Sequence, residues 1–177
     1  MKKLILAFAV ATLTTVVPAH AESIEVDDVI ALMAKVPNEC GLYRSCKWCA
    51  PKDEACQLAP AGFERTHDAR EIATAIAVGT SNREEVVLGV VYAAFESGNH
   101  KCAHGDGGKS LGAWQMQRSP HSIACTPALA FAHFLDRAHR SMTHCGGSMA
   151  EYVSGNCDHG TVEAGKRAEL VARLLGD

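Results

Sequence analysis

The sequence has no H-E-x-x-H pair, no G-x-S-x-G elbow and no complete phosphate-binding loop. The first absence removes the helix-borne histidine pair of a zinc protease, and the second removes the anchor of a Ser-His-Asp hydrolase. Gly108-Lys109-Ser110 resembles the end of a phosphate-binding loop, but Ala103 stands where that loop needs its first glycine. Excess positive charge is lacking too. Seventeen Lys and Arg against twenty Asp and Glu leave a formal charge of −3, which gives no support to a nucleic-acid partner. Beyond the first residues no apolar run is long enough for a membrane span, and there is no internal repeat or low-complexity tract. Cys46-Lys47-Trp48-Cys49 lacks the βαβ setting of a thioredoxin-like redox pair and reads as part of a disulfide framework. Among nine histidines, His100 and His104 beside Cys102 come nearest to a metal set, but they share a loop rather than a helix face. Neither a metal nor a cofactor is expected.

What stands first in the chain reads as an export signal, residues 1–21. Lys2 and Lys3 form its basic start, Leu4 to Val17 its apolar stretch and Ala19-His20-Ala21 a small-x-small cleavage site. Cleavage would remove two of the seventeen basic residues and no acid, leaving a formal charge of −5. No cysteine follows the cleavage site, so a lipid anchor is not indicated, and no membrane association is expected after removal of the signal. All eight cysteines lie beyond it, as suits a secreted or periplasmic protein with up to four disulfides. Spacing does not fix connectivity. The expected bridges are Cys102–Cys125, around a glycine-rich loop, and Cys145–Cys157, around Tyr152, with Cys40, Cys46, Cys49 and Cys56 paired among themselves.

Val86 to Phe95 are all apolar, aromatic, alanine or glycine, with Arg83, Glu84 and Glu85 before them. Ser81 or Asn82 can cap such a helix, and the glutamates suit the positive end of its dipole. A helix apolar on every side must be buried on every side, so this one should run through the middle of the domain. Glu96 closes the run, and Ser97-Gly98-Asn99 is stop chemistry. The negative end of the dipole and the apolar neighbours both disfavour a charged carboxylate there, which is the condition a general acid needs. The plainer alternative is a solvated Glu96 without a role. Gly105-Asp106-Gly107-Gly108 then leads into Ser110-Leu111-Gly112-Ala113-Trp114-Gln115, a tightly folded backbone against which a sugar chain could pack, with Trp114 and Gln115 nearby.

Around this centre, helical spacing predicts helices over Ser23 to Lys35, from Thr66 or Asp68 to Val78, over Thr126 to Ser141 with Pro127 in the first turn, around Met149 to Val153, and over Thr161 to Leu175. Asn38 to Gly62, with four cysteines, Pro51 and Pro60, reads as a stapled irregular segment. The expected fold is mainly α: a disulfide-stapled helical bundle around a buried central helix, with a small irregular or β lobe. The expected division is residues 22–65, an N-terminal helix and cysteine-rich segment, and 66–177, a catalytic domain.

Phe95-Glu96-Ser97, followed by Ser110 with Gly112 and Gln115 and much later by Tyr152-Val153-Ser154-Gly155, resembles the lysozyme-like superfamily, in its soluble lytic transglycosylase and goose-type lysozyme branch. That family carries a glutamate-serine pair at the end of its central helix. It then has a serine shortly before a glycine, a glutamine three residues after that glycine, and a later tyrosine-x-x-glycine. Gly112-Ala113-Trp114-Gln115 keeps the two ends of the family's Gly-Leu-Met-Gln, and Val153 replaces an asparagine. The likeness covers about Ile72 to Leu175.

The resemblance implies an α+β lysozyme-like fold and a monomeric enzyme that cuts the N-acetylmuramic acid–N-acetylglucosamine bond of peptidoglycan glycan strands. It implies that Glu96 is the catalytic acid and that Ser110, Gln115 and Tyr152 line the cleft. Trp114 and Asp106 are the further candidates for substrate contact. A hydrolytic muramidase would need a second carboxylate, and Asp106 is the nearby acid. Its glycine neighbours suggest a mobile position or a side chain that caps its own turn. A lytic transglycosylase, which reuses one glutamate, is therefore the favoured expectation. The rival is a non-catalytic secreted glycan-binding or inhibitor protein on the same scaffold.

Overall fold

The computed structural model describes residues 23–36 and 67–176. The expected export signal, the segment Asn38 to Gly62 and the pairing of its four cysteines lie outside the described residues. Among the described residues the protein is mainly helical, with one three-stranded antiparallel sheet.

The central helix, α3 (Arg83–Ser97), forms as its sequence directs. The Asn82 side chain accepts the Glu84 N–H at 2.9 Å, Glu84 and Glu85 occupy the first turn, and Gly98, left-handed at φ 62°, ends the helix. Every residue from Val86 to Ala94 is buried. Cover comes from α1 (Val26–Lys35), α2 (His67–Gly79), α5 (Pro127–His144) and α7 (Thr161–Gly176), all of which contact it. Gly89 sets how closely α5 approaches: a Cβ there would sit 2.6 Å from Phe131 Cε2. Its carbonyl also accepts Trp114 Nε1–H at 2.9 Å, which ties the glycine-rich segment to the helix. Tyr92, Trp114, Phe131, Phe134 and Tyr152 form one aromatic cluster, with neighbouring ring centroids 5.3–6.1 Å apart.

The N-terminal helix, α1, packs against the helices that follow residue 66. In α1, Val29 and Met33 are buried in the same core as Ile72 and Ile76 of α2. An amphipathic helix of ten residues must bury its stripe, and α2 and α3 provide the surface. Val26, Ile30 and Leu32 flank that stripe and are only partly buried.

The small lobe is β1 (His104–Gly105), a 3-10 turn (Asp106–Gly108), β2 (Ser110–Leu111) and β3 (Met116–Gln117), in spatial order β1-β2-β3. Ser110 sits opposite Gly105 on one side and Gln117 on the other. A single helical turn, α4 (His121–Ala124), follows where no helix was expected, and α5 extends past Ser141 to His144. The short α6 (Ala150–Ser154) and α7 complete the fold. No helix among the described residues is long and apolar enough to cross a membrane.

Cys102–Cys125 and Cys145–Cys157 are disulfides, as expected. The first joins the entry of the β lobe to the end of α4, and the second joins the end of α5 to the segment after α6. Loss of a native bridge from a small domain typically costs about 2–5 kcal/mol. Urea unfolding with and without reductant should show a loss of that size for each bridge. Non-reducing peptide mapping should recover 102–125 and 145–157 as linked peptides; either cysteine pair joined instead to the N-terminal four would overturn the pairing.

Candidate active site

Glu96 occupies the last turn of α3, immediately before Ser97. Ser97 is fully buried, donates its Oγ–H to the Ala93 carbonyl at 2.9 Å and accepts the His100 N–H at 3.2 Å. The serine of the Glu96-Ser97 pair thus shapes the helix end. The glutamate faces a cavity of about 270 Å³.

Three separate segments complete that cavity: Asp106, Ser110 and Gln115 from the β lobe, Arg137 from α5 and Tyr152 from α6. Five of the six residues singled out in the sequence therefore meet in one place. Trp114 does not. It is wholly buried, stacked 5.7 Å from Phe134 and bonded to Gly89, so its indole reaches the core and not the cleft. Its neighbour Gln115 turns the other way because Gly112, at φ 83°, and Gln115 itself, at φ 46°, both adopt left-handed backbone.

Of the two expectations for Asp106, a mobile position or a side chain that caps its own turn, the structure shows a side chain engaged across its turn. It is tied down: Ser110, buried on β2, donates its Oγ–H to Asp106 Oδ2 at 2.6 Å, bridging the whole turn. Gln115 braces the lobe from inside, its Nε2 donating to the Ala103 and Gly112 carbonyls at 3.1 and 3.0 Å. The Tyr152 hydroxyl donates to the Trp114 carbonyl, and its ring meets Tyr92 and Phe134 edge-on. Burial, with the nearby Glu96 charge adding to it, pushes the Tyr152 phenol well above its ordinary range, so it remains a neutral donor.

Sequence reasoning did not find Arg167. This α7 residue is 8% exposed and hydrogen-bonds Glu96 Oε1 through Nη1. Its guanidinium lies 4.9 Å from the Tyr92 ring centroid and 5.3 Å from that of Phe95. A guanidinium in contact favours an ionised carboxylate, whereas the helix-end position by itself suggested only the opposite influence. The signal was present: Arg167 falls on the stripe Ala164, Leu170, Val171, Leu174, where a charge needs a buried partner. Arg137, with Cζ 5.5 Å from the Tyr152 ring centroid, was also overlooked.

Two groups of three metal-ligand side chains occur among the described residues: Cys102, His121 and Cys125, and His144, Cys145 and Cys157. In each, the two cysteines are joined as a disulfide and offer no thiolate. Compared with family models, with curated proteins and with solved structures, the chain matches none.

Proposed function

We propose that the protein is an exported peptidoglycan-cleaving enzyme of lysozyme-like type, acting as a lytic transglycosylase with Glu96 as its acid and base. One observation carries the reading: Glu96 at the end of a buried helix shares a single cavity with Ser110, Gln115 and Tyr152, which come from segments far apart in sequence. Export is supported by two disulfides and by the basic and apolar start of the chain.

In this reading Glu96 gives its proton to the glycosidic oxygen as the bond from muramic C1 breaks. The resulting carboxylate takes the proton of the muramic 6-hydroxyl, whose oxygen closes on C1 to form the 1,6-anhydro product. Arg167 suits the second half, since it stabilises the carboxylate that acts as base. Tyr152 and Gln115 hold the cleft wall through bonds to backbone carbonyls.

A hydrolytic muramidase is the second reading, favoured by one observation: Asp106 is held by Ser110 at the same cavity as Glu96. In that mechanism it would serve as nucleophile or as the base for water. Mass spectrometry of digested peptidoglycan separates the two. Muropeptides ending in 1,6-anhydromuramic acid are expected, and Asp106→Asn should retain most of the activity. Products one water heavier, lost in Asp106→Asn, would establish the hydrolase instead.

A further inference from the structure

A second cavity, of about 530 Å³, adjoins the cleft and shares Gln117, Arg137 and Tyr152 with it. Its other walls carry Arg118, His133 and Arg140. Arg118, His133 and Arg137 form no ion pair among the described residues. Arg140 is paired with Asp136 at 2.7 Å, and Glu151, the acid on the wall, is engaged by His144 at 3.0 Å. Two guanidiniums without a carboxylate partner, backed by an imidazole, therefore face one space. This occurs on a chain whose overall charge is negative.

Such a space suits anions; guanidinium pairs bidentately with carboxylate as with phosphate, and carboxylate is the anion that a peptide branch carries. It adjoins the cleft through three shared residues but does not include Glu96, which lines only the smaller cavity. A branch leaving a strand bound at Glu96 would have this space next to it.

We propose that this basic cavity is a subsite for the free carboxylates of the peptide branch carried by muramic acid. The proposal rests on the reading that the neighbouring cleft holds peptidoglycan. Arg137 lines both spaces, with its guanidinium carbon 5.5 Å from the centroid of the Tyr152 ring that they share. Arg118, on the exposed segment after β3, sits at the outer side with left-handed backbone at φ 59°. The enzyme would thereby prefer strands that still bear peptides over those whose peptides are neutral or removed.

Binding is measured by calorimetry on Glu96→Gln protein, which leaves the ligand uncut. The probes are the N-acetylglucosamine–N-acetylmuramic acid disaccharide bearing a tetrapeptide with free carboxylates, and the same compound with those carboxylates amidated. The free form should bind at least tenfold more tightly. Arg118→Asn, which tolerates left-handed backbone, and independently Arg137→Gln, whose effect on the cleft is common to both probes, should each reduce that advantage at least threefold while circular dichroism stays unchanged. Equal affinity for the two probes overturns the proposal, as does an advantage undiminished in both variants. Digestion of intact sacculi by the wild-type protein keeps the two levels apart. Lysis without a carboxylate preference sinks the subsite alone; no lysis and no binding of either probe sinks the cleft reading and the subsite with it.

Discussion

Glu96→Gln should lower the rate of peptidoglycan cleavage by about 10²–10⁴-fold, the range associated with loss of a positioned acid–base group. The amide keeps the shape of the side chain and can still accept a hydrogen bond, but it carries no proton to deliver. The contact with Arg167 adds a consequence for stability. Both side chains are mostly buried, at 9% and 18% exposure, and removing one charge of a buried pair costs up to roughly 3–5 kcal/mol. The glutamine carbonyl offsets part of that. A double variant, Glu96→Gln with Arg167→Met, should recover stability because it removes both charges, yet it should remain inactive. Turbidity loss of cell-wall suspensions, measured beside urea unfolding, tests both statements. Near-normal lysis by folded Glu96→Gln protein would remove Glu96 from the chemistry and leave the non-catalytic alternative standing.

A large effect on stability is also expected at Gly112, the pivot of the β lobe. Its N–H donates to the Ala103 carbonyl at 2.9 Å, and its carbonyl accepts from both the backbone and the side chain of Gln115. Its φ of 83° is strained for any residue with a Cβ, and that Cβ would lie 2.1 Å from the Ala124 carbonyl oxygen. The obstacle is backbone, in the turn α4 that leads to the Cys102–Cys125 bridge, so it cannot rotate aside. Gly112→Ala should therefore lose roughly 2–5 kcal/mol, combining about 1–2 for the left-handed conformation with about 1–3 for overpacking. Gly107→Ala is the control. That glycine is also left-handed, at φ 67°, but nothing lies within 4 Å of its Cβ position, so only the conformational part should be lost. Equal destabilisation of the two variants in urea would refute the steric account.

Most of the helical frame was legible because its signals are local. Asn82, Glu84, Glu85 and Gly98 bound α3 through contacts made within a few residues, and an apolar run without a polar face can only be central. Pro127 opens α5 for the same kind of reason. The turn α4 was not legible, since four residues are too short for a periodic pattern.

At the candidate site, motif order nominated Glu96, Ser110, Gln115 and Tyr152, and Asp106 was nominated as the nearby acid; all five share one cavity. Trp114 was misassigned because two adjacent residues cannot be sorted between core and cleft without the backbone twist at Gly112 and Gln115. The sequence leaves Asp106 between a mobile position and a turn-capping side chain because nothing in a glycine-rich string indicates that Ser110 reaches back to it.

By itself, then, the sequence determined the buried helix and the acid at its end from composition and spacing along the chain, while the pairing of the cysteines, which spacing does not fix, came from the structure. Only the tertiary structure decided what surrounds that acid. Arg167 is separated from Glu96 by 71 positions, and the pair forms because α7 packs along α3 and a charge on its apolar stripe requires a partner. The basic cavity arises in the same way, from the segment after β3 meeting α5 and α6, and no local pattern encodes that meeting.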